Sequence, residues 1–287
     1  MMVVEQEVRV GRAPDFIIIG AQKSGTSSIA NALRDAPGYF ITARKELHYF
    51  QHFDPMADTA SWLRYQREFV GAPAAASVGE ATPNYLPDRA APTRIRSVMP
   101  DVRLVASLRN PVDRAYSTYW HALRLGAVRK SLTFPEFIER EARDFGSGWA
   151  TAVADGCYST QLRRYYRQFR HDQILVVLFE DLIRDPASTM TRIMRHITPG
   201  SDSEFTGQFP HSNPAHLRFV PRLSRRILNP RGKPPRPMPG VRRLLMRRRE
   251  AMPPMDAHVR AMLTDLYRPW NRELESMIDR PLTEWGV

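Results

Sequence analysis

Three short apolar runs punctuate the chain between longer stretches of helical periodicity. Asp15-Phe16-Ile17-Ile18-Ile19 is continuous rather than alternating and rich in β-branched residues, the pattern of a strand buried on both faces of a parallel sheet. Residues 102–108 and 174–179 read the same way, the latter bounded by His171-Asp172-Gln173 and Glu180-Asp181. After the first run a loop, Gly20-Ala21-Gln22-Lys23-Ser24-Gly25, leads into 26–34, where Ile29, Ala30 and Leu33 share one helical face. After the second, Asn110-Pro111-Val112-Asp113 supplies an N-cap, a proline for the first helical position and an acid for the first turn, which leaves Arg109 at the strand's C-terminal end. Strands alternating with helical stretches predict an α/β fold: a single P-loop-like domain with a central parallel sheet flanked by helices and ligands at the carboxyl ends of the strands.

Residues 210–254 interrupt this pattern. Ten prolines, from Pro210 to Pro254, forbid a long regular element across most of the stretch. The segment also changes the meaning of the net charge. The chain carries +12, and residues 218–250 hold eleven arginines and Lys233 against Glu250 alone, a local 12 − 1 = +11. The expectation is one domain over residues 1–287: an N-terminal extension at 1–14, a basic Pro-rich lid or acceptor loop at 210–254, and then a helix over 256–278 interrupted at Pro269. Composition narrows the class further. With 43% hydrophobic residues the 287-residue chain can fill a sizeable core, and no apolar run is long enough to span a bilayer. Two early glutamates, Glu5 and Glu7, stand where a signal peptide needs apolar residues, so a cytoplasmic location is expected. Cys157 is the only cysteine, which excludes an intrachain disulfide and a multi-cysteine zinc cluster.

Candidate chemistry begins at the first loop. A glycine-containing loop feeding a helix N-terminus presents unpaired N–H groups and a positive dipole end, suited to phosphate or sulfate. Lysine after the second glycine would mark a nucleoside-triphosphatase loop, but here Thr26 follows Gly25 and Lys23 lies inside the loop. From there it can reach the bridging oxygen of a bound anhydride, with Thr26, Ser27 and Ser28 surrounding the other oxygens without a metal. An ordinary strand–helix turn with a solvated lysine would use the same residue types.

Three blocks then resemble the sulfotransferases that use 3′-phosphoadenosine 5′-phosphosulfate (PAPS), in the branch of the heparan sulfate N- and 3-O-sulfotransferases and their bacterial relatives. Residues 16–28, FIIIGAQKSGTSS, look like that family's 5′-phosphosulfate loop. Residues 104–121, LVASLRNPVDRAYSTYWH, are similar to its 3′-phosphate motif, and 263–285 resemble its C-terminal helix and closing tryptophan. Residues 45–50, 79–85 and 156–162 fall between in order, and the likeness lapses over 205–255.

The resemblance implies PAPS as sulfuryl donor, bound by Gln22, Lys23, Ser24, Gly25, Thr26, Ser27, Ser28, Arg109 and Ser117, with no metal. It places the catalytic base at Glu46, while His48 is the rival, the position's counterpart in the cytosolic branch being histidine. The residues give independent grounds for the second block: a 3′-phosphate needs a cationic fork and a hydroxyl, which Arg109 and Ser117 supply, and His121 lies four residues beyond Ser117 on the same helical face, toward the reacting centre. Glu80 can orient the acceptor or a neighbouring group, or form a structural ion pair; Tyr158 and Gln161 are expected to line the cleft on the acceptor side, with core packing the alternative for Tyr158.

Two departures from the branch stand out. The block Glu80-Ala81-Thr82-Pro83 has alanine where the heparan branch usually carries lysine, and the disulfide-closed loop before the C-terminal helix is replaced by the arginine-rich stretch. The acceptor is therefore open: a glycan or small molecule, anionic if the basic segment attracts it. Two other classes remain. A small-molecule kinase of the P-loop kind lacks its lysine after the second glycine and an obvious magnesium carboxylate. A protein gripping nucleic acid or another anionic surface would use the arginine-rich segment, but Phe219 is the one aromatic between Arg218 and Glu250, a poor stacking platform. No nucleic-acid partner is expected, and the sequence is silent on oligomeric state.

Overall fold

The computed structural model describes residues 11–143, 152–209, 216–217 and 250–287. Within them the three apolar runs are strands of one sheet: β1 (Phe16–Gly20), β4 (Arg103–Leu108) and β5 (Ile174–Leu178). Two further strands, β2 (Tyr39–Ile41) and β3 (Ser77–Ala81), complete the order β2-β3-β1-β4-β5, and every pairing is parallel. Phe16 is in register with Gly79 on one side and Arg103 on the other. A side chain at Gly79 would collide with the Phe16 ring, a Cβ there lying 2.4 Å from its carbons, so the close approach of β1 and β3 needs glycine.

Alternation along β1 divides the core. Ile17 and Ile19 face a layer with Val78, Leu104, Tyr165 and Trp285, whereas Phe16 and Ile18 face one with Ile29, Leu33, Val177 and Ile193. The first layer is closed by α4 (Ala91–Val98) and α7 (Tyr158–Tyr166), the second by α1 (Thr26–Asp35) and α9 (Pro186–Ile197). A third apolar cluster joins α5 (Pro111–Leu125) and α6 (Phe134–Arg143) to the C-terminal helix, α10 (Ala257–Ile278). Short helices α2 (Tyr49–His52), α3 (Thr59–Arg67) and α8 (Phe179–Arg184) fill the connections.

The expected interruption of the last helix does not occur. Helix α10 runs through Pro269, because Pro269 and Asp265, whose carbonyl loses its partner, are both exposed and water can take that bond. Leu263, Tyr267, Asn271 and Leu274 meanwhile pin both halves of the helix to the body. Asp256 caps it by accepting from the Val259 amide at 3.1 Å. Most of the expected lid over 210–254, and the first ten residues of the expected 1–14 extension, lie outside the described residues. Of the lid, β6 (His216–Leu217) pairs antiparallel with β7 (Glu250–Ala251), and the Pro253 carbonyl accepts from the Tyr116 hydroxyl of α5 at 2.9 Å. No described helix is long and apolar enough to cross a membrane.

Candidate active site

The carboxyl ends of the strands deliver the candidate residues to one edge of the sheet. The loop after β1 is held from below by β4: the Ala21 amide donates to the Ser107 carbonyl at 2.7 Å, and the Ser107 hydroxyl donates to the Ser24 carbonyl at 2.6 Å. Gly25 takes φ 82°, and a Cβ there would lie 3.0 Å from Phe179 and Leu182, so glycine is needed for both the left-handed turn and the space. Lys23 is also left-handed, at φ 69°. The amides of Gly25, Thr26 and Ser27 open α1, where no preceding helical turn supplies acceptors. The three hydroxyls that follow leave the helix on different sides. Successive helical residues project about 100° apart, and Thr26 and Ser28 are buried while Ser27 is half-buried and accepts from Lys45 Nζ at 2.5 Å. Ser24 is wholly buried, with its amide donating to the Ala21 carbonyl at 3.3 Å and its carbonyl accepting from Ser107, so it shapes the loop from within; Gln22 is half-buried.

Arg109 leaves the end of β4 with its guanidinium 4.9 Å over the Phe179 ring and Nη1 donating to the Lys23 carbonyl at 3.4 Å. Its helix starts as its sequence requires: the Asn110 side chain accepts from the Val112 amide at 3.0 Å, and the Asn110 amide donates to Glu180 Oε1 at 2.9 Å. Ser117 is half-buried on α5, and His121, one turn on, receives a hydrogen bond at Nδ1 from Arg124 Nη2 at 2.7 Å.

These cations crowd one another. Burial foremost, then the charges of Arg124, Arg109 and Lys45, bring the Lys23 pKa down to about 8. Burial together with Lys23, Arg124 and Lys45 pushes His121 down to about 4, so the ring is neutral at physiological pH. Lys45 and Arg124 were not among the expected site residues. Lys45 is 18 positions from the Ser27 it touches, and β2, which positions it, is too short to announce itself by pattern. Arg124 carried a readable signal, since it stands three residues past His121 and seven past Ser117 on the face already assigned.

Glu46 and His48, expected as alternatives, are neighbours. Glu46 Oε2 lies 3.4 Å from His48 Nε2 and Oε1 lies 3.4 Å from Lys45 Nζ, while His48 Nδ1 meets Gln51 Oε1 at 2.7 Å. Both adopt left-handed backbone, φ 58° and 55°, the strained geometry that persists where surrounding structure holds it. The hold comes from Glu80. Its side chain is wholly buried and accepts from Tyr65 Oη at 2.7 Å, Tyr85 Oη at 3.1 Å and Thr82 Oγ1 at 2.7 Å. Thr82 Oγ1 in turn accepts from the Leu47 amide at 3.0 Å, between the two strained residues. Glu80 therefore braces this turn. Among the described residues no ion pair reaches it and it has no exposed surface for an acceptor.

Tyr158 and Gln161 also lie inward. Tyr158 is 1% exposed and its hydroxyl donates to the Arg109 carbonyl at 2.9 Å; Gln161 is 4% exposed and donates to the Ala154 carbonyl at 3.3 Å. Core packing, and for Tyr158 support of the Arg109 backbone, replaces the expected cleft-lining role. Ala81, where the heparan branch usually carries lysine, is buried in the core with Phe16 and Ile18.

A family model, the sulfotransferase domain, matches residues 13–204. The chain belongs to that family. Among its relatives, this sulfotransferase-family chain is 27% identical over 98% of its length to the bifunctional heparan sulfate N-deacetylase/N-sulfotransferase 2 of Bos taurus, and 28% identical over 93% to the heparan sulfate glucosamine 3-O-sulfotransferase 3B1 of Mus musculus. It spans 31% and 64% of the length of those two relatives. A solved sulfotransferase from Alicyclobacillus acidocaldarius superposes with a TM-score of 0.72 at 26% identity, covering 96% of this chain and 100% of that one. The five-stranded parallel sheet flanked by helices is thus the sulfotransferase fold.

Proposed function

We propose that the chain transfers a sulfuryl group from PAPS to a hydroxyl or amine of a glycan or small-molecule acceptor. The observation that carries the reading is the cation cluster at the strand ends, where burial foremost and then the charges of Arg124, Arg109 and Lys45 bring the Lys23 pKa down to about 8, and burial with Lys23, Arg124 and Lys45 pushes His121 down to about 4. Such a cluster fits a ligand with two anionic ends. The Gly25–Ser27 amides and Lys23 would hold the 5′-phosphosulfate, and Arg109 with Ser117 the 3′-phosphate. PAPS, when bound, supplies a sulfuryl group on a good phosphate leaving group.

The chain's own groups supply the rest. Glu46 is the base that takes the acceptor proton, held by its strained turn and by contact with Lys45 and His48. His48 orients that carboxylate through the Gln51 contact at its other nitrogen. Lys23 places positive charge at the leaving oxygen. Relatives named for heparan sulfate support a glycan acceptor, but the buried Ala81 removes one of that branch's usual cations, which favours an acceptor less heavily charged than heparan. The test is a thermal-shift titration with 3′-phosphoadenosine 5′-phosphate (PAP), ADP and ATP–Mg²⁺, since a ligand of the folded state raises its stability by RT ln(1 + [L]/Kd). A shift with PAP alone is expected; a shift with ATP–Mg²⁺ alone would transfer the assignment to phosphoryl chemistry.

A further inference from the structure

We propose that Arg124 is a positioning residue that fixes His121 as the neutral tautomer protonated on Nε2, making His121 a hydrogen-bond donor in the site and not a second base. The argument is one of valence. A guanidinium has five N–H donors and no acceptor, so an imidazole nitrogen 2.7 Å from Arg124 Nη2 must present its lone pair. A neutral imidazole carries one proton, which then has to sit on Nε2. To act as a base His121 would have to expose a lone pair at Nε2, and the Arg124 contact forbids the tautomer that does so.

A second proton is equally opposed. It would have to enter at Nδ1 against the guanidinium, and the charged groups that bear on the ring are Lys23 from the loop after β1, Lys45 from the turn after β2 and Arg124 from its own helix, all cationic. The carboxylate beside Lys45 in its turn, Glu46, is engaged by Lys45 and His48. Burial acts in the same direction, and the ring stays neutral down to about pH 4. What remains is a neutral Nε2–H among cations that gather anionic oxygens, and its chemistry is to donate to one of those oxygens.

The catalytic half of this inference rests on the sulfuryl-transfer reading; the tautomer does not. Histidine-selective ¹⁵N labelling of the full chain and long-range ¹H–¹⁵N correlation read the tautomer directly, with His121→Gln identifying the signals. A pyridine-like Nδ1 and a pyrrole-like Nε2, unchanged from pH 8 to pH 5.5, are expected. Arg124→Leu should mix the tautomers and move the titration toward the ordinary 6.5. In turnover, His121→Gln keeps an N–H near the Nε2 position and should lose less than about tenfold, whereas His121→Phe should lose about a hundredfold, as for a deleted oxyanion-type donor. In Arg124→Leu, kcat relative to wild type should rise as pH falls from 8 to 6, because protonation restores the Nε2–H. A base would give the opposite slope. A pyrrole-like Nδ1, or titration above pH 6 in the wild-type chain, overturns the proposal even if sulfuryl transfer is found; the expected spectrum in a chain that ignores PAP would instead sink the transfer reading and leave the tautomer standing.

Discussion

Lys23, in the loop after β1, and Glu80, on the neighbouring strand β3, are both drawn out of water, and the fold treats them in opposite ways. Glu80 is answered completely: three hydroxyls converge on its carboxylate, and the bond network ends on the Leu47 amide. Lys23 is answered by more positive charge, from Arg109, Arg124 and Lys45. A buried charge whose partners are built into the chain is architecture. A half-buried charge surrounded by its own sign suits an anion, and that difference separates the brace from the proposed binding site.

The sharpest way to test the division is at the junction of the two regions. Glu46→Gln should lower kcat about a thousandfold, within the span of general-base contributions, while PAP affinity measured by calorimetry stays within about twofold. Full activity would return the base to His48. Next in size is the brace itself. Glu80→Ala strands the hydroxyls of Tyr65, Tyr85 and Thr82 and should cost about 3 kcal/mol in urea unfolding. Burial raises the folded-state pKa of Glu80 above its ordinary 4.5. The folded chain therefore keeps that proton longer, and the group's contribution to stability is full below 4.5 and lost as pH rises through the raised value. Glu80→Gln should flatten that slope; an unchanged slope would mean that Glu80 is not the titrating group.

On the binding side, Arg109→Ala removes a charge-assisted contact and should weaken PAP about a hundredfold, or about 2–3 kcal/mol, with the melting temperature of the free chain little changed. The smallest effect belongs to Tyr158→Phe. Loss of its bond to the Arg109 carbonyl should cost about 1 kcal/mol of stability and leave the acceptor KM alone. A raised KM would put Tyr158 back on the cleft wall.

The same contrast explains what the sequence disclosed. Strands buried on both faces, such as 16–20 and 174–178, announce themselves as apolar runs, and the loop after β1 and the Asn110-Pro111 cap carry local signals that need no tertiary context. β2 and β3 were not legible as strands: β2 has three residues, and β3, Ser77-Val78-Gly79-Glu80-Ala81, places a glycine and a glutamate in a core position that only Phe16 and the three hydroxyls make sense of. Glu80, Tyr158 and Gln161 read as site residues because polar side chains in an ordered motif look alike whether they face a ligand or brace the wall behind it. Lys45 escapes notice for the complementary reason, since its role arises from proximity across elements, whereas Arg124 lies on the helix face of Ser117 and His121 and was legible there.

The central claim, that the cluster around Lys23 is an unanswered anion site, is tested most directly by titrating the chain with PAP at pH 8 in two buffers of different ionisation enthalpy. With its pKa near 8 in the free chain, Lys23 is about half protonated there; an anion bound beside it should draw in up to about half a proton, and Lys23→Met should bind more weakly with that uptake gone. Binding without proton uptake, or uptake that survives Lys23→Met, would contradict the account.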